Sequence, residues 1–183
     1  RQPAMRDGWE SLTLGEVAFI KQGQTLALKD MTGGDHPVFG ANGIVGWHNM
    51  GHYDHHVVAL GCRGSCGTVH RAPPGSYLAN NVMAVWPMDE GISVDFLRLV
   101  LEVADLAAHG VISGQVQPQI TRSSLAPLPL NVPPLAVQRR LVDLVDAVDT
   151  CAAAAKILAS SSESLIEALE SKIMDSGEHH RAL

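Results

Sequence analysis

Charge and aromatic rings are both scarce in this chain. Charged residues make up 17% of its 183 residues and aromatics 4%. There is also no basic excess: 13 Lys/Arg stand against 19 Asp/Glu, a net charge of −6. A protein that holds nucleic acid by charge alone carries a basic face, so composition argues against that class unless a local patch or a partner supplies the attraction. Apolar runs are short, such as Val57-Val58-Ala59-Leu60. None approaches the roughly 20 residues that cross a bilayer. Three cysteines, Cys62, Cys66 and Cys151, are too few and too odd in number for a disulfide framework. No secretory signal pattern opens the sequence, and the expectation is a soluble, cytoplasmic protein without a membrane partner. Gly-x4-Gly-Lys is absent, and Gly61-Cys62-Arg63-Gly64-Ser65 only hints at a nucleophile elbow. No complete catalytic set is present and no cofactor is implied.

The apolar fraction of 46% is enough to bury a core. Residues 1–80 hold six Lys/Arg and six Asp/Glu, together with six of the nine histidines. Acidity lies downstream, with two basic and five acidic residues over 81–135 and five and eight over 136–183. From Trp9 a short strand and turn lead to a helical turn. Val38–Gly40 and Gly43–Gly46 alternate small apolar residues with glycine, and Val57–Leu60, Thr68–His70 and Val82–Trp86 are strand candidates separated by Gly and Pro turns. Val94–His109 carries a helical apolar face, with Ser93 as its N-cap and Gly110 as its stop. Ile120–Leu125 reads as a helical turn capped by Thr121. Leu128–Val132 reads as extended, being bracketed by prolines.

Pro133-Pro134 then opens 42 residues, Leu135–Ser176, free of Pro and Gly. One heptad seam runs Leu141, Leu144, Val148, Cys151, Ala155, Leu158, Ser162, Leu165, Leu169, Lys172, and eight of these ten are apolar. At 1.5 Å per residue the helix is a rod of roughly 60 Å. Its stripe needs a partner helix, and the chain has no second helix of that length. The fold class is therefore α+β: an irregular, mainly antiparallel β domain with a few helices over 1–132, one long coiled-coil helix over 133–176, and a tail over 177–183.

An ordered series of segments resembles the DNA specificity subunit of type I restriction-modification systems. It comprises Trp9 with Leu14-Gly15-Glu16-Val17, Gly23-Gln24-Thr25, Pro37–Gly46, Leu60–Gly67 and Asn80-Asn81. Gly114-Gln115-Val116-Gln117-Pro118-Gln119-Ile120 and Leu128–Gln138, a proline pair and glutamine opening the long helix, complete it. The resemblance implies a target recognition domain that reads a double-stranded DNA half-site, followed by the spacer helix. It also implies methyltransferase subunits as partners, with a restriction subunit as a further candidate. Members of this family usually hold two recognition domains and two helices, whereas this chain has one of each. It resembles a half-subunit, expected to homodimerise through Leu141, Leu144, Val148, Ala155, Leu158, Leu165 and Leu169 and to read an inverted repeat. Methyltransferase motifs, an Asn/Asp-Pro-Pro-aromatic and a cofactor-binding glycine segment, are missing, so the chain is expected to be a non-catalytic reader.

Arg63, in a glycine loop, is the leading base or phosphate contact; a solvated turn tip is the bland alternative. Gln22, Gln24, Thr25 and Asn42 offer amides and a hydroxyl in expected loops. Gln115 and Gln117 flank a dense polar segment with Gln119. Lys21, Lys29, His70 and Arg71 are candidate phosphate neutralisers. Cys62-x3-Cys66-x3-His70 raises a zinc question but lacks a convincing fourth ligand, and small buried cysteines are the better reading. His52-x2-His55-His56 is likewise read as a polar loop. Two other classes remain open: a coiled-coil adaptor that binds protein, and a metal-dependent enzyme on the Cys/His loop.

Overall fold

The computed structural model describes residues 8–114 and 116–179. Element order is β1 (Glu10–Thr13), α1 (Leu14–Val17), β2 (Ala18–Gln22), a 3-10 turn (Leu28–Asp30), β3 (His36–Gly40), β4 (Gly43–His48), β5 (Val57–Gly61), β6 (Val69–Ala72), β7 (Tyr77–Leu78) and β8 (Val82–Pro87). There follow α2 (Val94–Val103), β9 (Ile112–Ser113), β10 (Gln119–Ile120), α3 (Arg122–Leu125), β11 (Pro129–Val132) and α4 (Leu135–His179).

The centre is a four-stranded sheet ordered β2-β8-β5-β6, antiparallel throughout. Its middle strands are apolar at every position because both faces are covered. Ile20, Val58, Leu60, Met83 and Val85 point into one core with Leu14, Leu97, Leu101 and Leu125, from the helical side. Val57, Ala59, Val82 and Ala84 point the other way, into a second core with Phe39, Tyr53 and Leu78. That second face is covered by the three-stranded sheet β4-β3-β7, whose β3–β7 pair is parallel. Sequence periodicity marked the apolar runs, but not this parallel pair, which long-range packing sets.

β1 pairs antiparallel with β11, Glu10 opposite Val132 and Thr13 opposite Pro129. Pro133-Pro134 then leads directly into α4. Gln138, one turn into that helix, is fully buried. Its Oε1 accepts from the Ser93 amide (2.9 Å), and its Nε2 donates to the carbonyls of Gly91 and Pro133 (both 2.9 Å). Every polar group of the amide is thus used.

Three expectations change. The helix expected over Val94–His109 stops at Val103, because Ala104 adopts an extended conformation and Leu106 turns back into the core. Ser93 makes no side-chain cap; its amide is held by Gln138 instead. Only Arg122–Leu125 of the Ile120–Leu125 turn is helical, since Ile120 pairs in β10; Thr121 caps it by accepting from the Ser124 amide (3.1 Å).

The chain divides into two compact units between Val142 and Asp143, within α4. The physical reason is that Gln138 and Val142 are buried in the first unit. In the second, the helix passes Gly177 and reaches His179, so part of the expected 177–183 tail is helical and residues 180–183 lie outside the described ones. The serine-rich stretch stays helical with hydroxyls bonded back to the preceding turn, Ser160 to Ile157, Ser162 to Leu158 and Ser164 to Ser160. Of the expected seam, Leu144, Val148, Leu158 and Leu165 are 58–69% exposed in the single chain. Leu141 is half-buried and Ala155 exposed, while the side chain of Leu169 lies outside the described part. Among the described residues, no helix is long and apolar enough to cross a membrane.

Candidate nucleic-acid interface

The loop between β5 and β6 is drawn tight by backbone bonds from Gly61 to Thr68 (2.8 Å) and from Gly67 back to Gly61 (2.9 Å). A Cβ on Gly61 would strike the Ser65 carbonyl and the Thr68 hydroxyl, so glycine is required there by close approach. This turn presents Arg63 to solvent. Arg63 also forms a β-bridge with Gln119, and the Ile120 amide donates to the Cys62 carbonyl (2.9 Å). The β9–β10 hairpin is thereby pinned to the loop. At its tip Gly114 has φ +90°, and a Cβ there would strike the Gln117 carbonyl. The result is an open cleft of about 580 Å³ lined by Arg63, Gly64, Val116, Gln117, Pro118 and Gln119. Arg63 and Gln117 are brought together; Gln115 lies outside the described residues.

The β3–β4 turn abuts the same loop. The Thr68 hydroxyl donates to the Ala41 and Ser65 carbonyls, and His70 Nε2 lies 3.3 Å from the Ala41 carbonyl. Asn42, at the tip of that turn, is exposed, with the His70 ring beneath neighbouring Gly43. Gln22 closes the edge from the other side. Its Nε2 donates to the Asn80 carbonyl (2.5 Å) and to Cys62 Sγ (3.2 Å). Its amino group is therefore occupied in tying β2 to the Asn80 turn, which leaves its carbonyl oxygen as the group to present.

The other candidates scatter. Gln24 bridges Ala79, Thr25 accepts from Asn80 Nδ2 through its hydroxyl (3.4 Å), and Lys21 is exposed on β2. Lys29 sits on the separate 3-10 turn beside Asp30. Arg71 is engaged by Asp95 of α2, through Nε to Oδ1 at 2.5 Å and a second bond at 3.4 Å, so its charge is matched within the chain. Asn80, named above only within the resemblance, His52, read above as part of a polar loop, and His48, which no motif singled out, are further polar groups here, and the rings of His48 and His52 flank Tyr77 at centroid distances of 5.6 and 3.9 Å. The histidine excess of residues 1–80 was the available signal.

Cys62, Cys66 and His70 face different partners. Cys62 accepts from Gln22, Cys66 donates to the Pro118 carbonyl (3.0 Å), and His70 turns to Ala41. Burial pushes both thiols above the ordinary cysteine range, despite the Gln22 bond to Cys62. Protonated thiols are poor nucleophiles and poor metal ligands. His55 pairs with Asp54 at 2.7 Å, a bond that, as the largest cause, lowers the Asp54 carboxyl. Among the described residues no three His, Cys, Asp or Glu side chains converge as a metal would require.

Among the described residues, Arg63 and Gln117 line one cleft held by glycine turns on the β scaffold. The chain belongs to the type I restriction modification DNA specificity domain family, whose model matches residues 6–159. Similar folds occur in solved structures. The S subunit of a type I restriction-modification system from M. genitalium superposes with a TM-score of 0.66 at 17% identity, over 81% of this chain and 40% of that one. A chain from a structure on complex assembly and conformational transition of the type I R-M system gives 0.77 at 23% identity, over 95% and 46%. The HsdS subunit from Thermoanaerobacter tengcongensis gives 0.64 at 22% identity, over 84% and 40%. This chain thus spans less than half the length of each. Comparison with curated proteins finds no match.

Proposed function

We propose that this chain is a sequence-specific DNA-recognition element of a type I restriction-modification assembly, acting as a half-subunit that reads one half-site. The observation that carries this is the family match over residues 6–159. The shared cleft of Arg63 and Gln117 supports it, with Asn42 and the Gln22 carbonyl oxygen as further readers on this proposal: arginine can hold guanine bidentately, and amides can read adenine. Lys21, Lys29, His70, Gln24, Thr25 and Gln115 are proposed as accessory contacts, chiefly to phosphate. Residues 1–132 form the reading domain on this proposal, and the helix after Pro133 is the spacer.

Two copies pair through Leu141, Leu144, Val148, Ala155, Leu158, Leu165 and Leu169. The support is the apolar stripe of Leu144, Val148, Leu158 and Leu165, exposed on a helix longer than any other among the described residues. Methylation and cleavage come from partner subunits, a methyltransferase and, in complete systems, a restriction subunit. The test is a gel shift on duplex DNA across a salt series, with and without the methyltransferase subunit, followed by mapping of the methylated motif in cells carrying the system. The expected result is weak binding by the chain alone, tightened by the partner, and a single defined motif. Absence of duplex binding even with that partner would instead indicate a protein-binding adaptor.

A further inference from the structure

Tyr77 lies in β7 at the edge of the small sheet, and its ring is flanked by two imidazoles. His52 packs on it at 3.9 Å with a 40° tilt, and His48 of β4 meets it edge-on at 5.6 Å. Its hydroxyl donates to the Thr25 carbonyl (3.4 Å), which ties the ring to the segment following β2. His48 Nδ1 faces both the Thr32 amide (3.4 Å) and the Thr32 hydroxyl (3.2 Å), which ties the ring to the segment leading into β3. Lys21 is exposed on β2, on the same strand face as Phe19. Phe19 meets Trp86, Trp86 meets Tyr53, and Tyr53, buried in the second core, meets His52, so a chain of ring contacts links the Phe19 end of β2 to His52.

We propose that His48 and His52, packed on Tyr77, form together with exposed Lys21 of β2 a phosphate grip for duplex DNA. The proposal deepens the DNA-reading function above and rests on it. The side chains come from three separate segments, and each can donate to a phosphate oxygen. Of the groups nearby, the Asp54 carboxylate is taken by His55, and His36, opposite His48 in the hairpin, faces the Gly75 carbonyl at 2.7 Å, while the Asp30 and Asp35 carboxylates are exposed on the segment leading into β3. Burial first, and then the Lys21 ammonium and His48, hold the His52 imidazole below its usual range. The last two causes are mutual repulsion between like charges, and an anion lying between them reverses it. A bound phosphate therefore raises the affinity of His52 for its proton, binding takes up protons, and affinity rises as pH falls through the imidazole range.

The test uses the full chain and a mixed-sequence duplex, since phosphate contacts are indifferent to sequence. Affinity is read by fluorescence anisotropy in a salt series at about pH 8 and about pH 6. The wild type is expected to bind several-fold tighter at the lower pH, with a salt slope steeper by about one to two. His48→Gln with His52→Gln should abolish that difference, while His109→Gln, on the turn after α2, should retain it. Lys21→Gln, at an exposed site, guards against misfolding. It should flatten the salt slope by about one and raise the His52 titration midpoint observed by NMR. A double histidine variant with wild-type pH response and slope overturns the grip and leaves the DNA-reading function standing. No binding by the wild type at either pH, with or without the methyltransferase subunit, overturns both.

Discussion

At the scale of single residues, partners decide which charges are available. Arg71 and Arg63 look alike in the sequence as cations beside glycine or strand, yet Arg71 is spanned by Asp95 while Arg63 faces an open cleft. Asp95→Asn should release Arg71. Non-specific duplex affinity is expected to rise, with a salt slope steeper by about one. Because the pair is part-exposed, stability should move by less than about 1 kcal/mol. Anisotropy titrations and urea melts on the same variant check both outcomes. His52 carries the converse effect on stability. Its folded-state midpoint lies below the ordinary value, first through burial and then through Lys21 and His48. The neutral form is favoured in the fold, so its contribution is present above the ordinary histidine midpoint and is lost as pH falls toward the lowered one. His52→Gln should flatten the fall in melting temperature across that interval. An unchanged pH profile would remove His52 from the acid sensitivity of the fold.

At the scale of elements, legibility follows from where the determining contacts lie. β5 and β8 were readable because strands buried on both faces are apolar at every position, as in Val57–Leu60. α4 was readable because nothing in Leu135–Ser176 breaks a helix. By contrast β7, β9 and β10 have two residues each, and pairing across the fold defines them rather than any local pattern. The end of α2 was misplaced for a related reason: Val103 and Ala104 continue the apolar pattern, but Leu106 reaches the core only if the helix stops first. In the candidate site, Arg63 and the glutamine segment were each visible, while their meeting depends on the Arg63–Gln119 bridge. Gln138 shows the same dependence, since nothing local reveals that its amide fastens the entry to α2. Gln138→Ala would strand the Ser93 amide and the Gly91 and Pro133 carbonyls in a buried place. A loss of about 2–4 kcal/mol is expected from unsatisfied buried groups, read as a lowered urea midpoint. A shift below about 0.5 kcal/mol would mean that water replaces the amide at no cost.

At the scale of the whole molecule, charge and apolar surface point outward to partners. Over 143–168 the helix carries Asp143, Asp146, Asp149, Glu163 and Glu167 against Lys156 alone, so it adds nothing to attraction for DNA. It does display Leu144, Val148, Leu158 and Leu165 to solvent, and a stripe of that kind is stable in water only when covered. A second copy is the simplest cover on the proposed reading, because an isologous seam needs no other gene product. Leu158→Lys with Leu165→Lys should convert the proposed dimer to monomer in sedimentation velocity. It should leave the melting of the first unit unchanged, since neither residue belongs to it. Symmetry then constrains the DNA. Two identical readers about a dyad can match only an inverted repeat with a fixed gap, and removing a whole number of helical turns from α4 should shorten that gap without altering either half-site. The methylated motif of cells carrying the wild-type and the shortened chain reads this directly. An asymmetric bipartite motif in the wild type would mean that a second, different reader completes the assembly and that this chain supplies one half of a mixed pair.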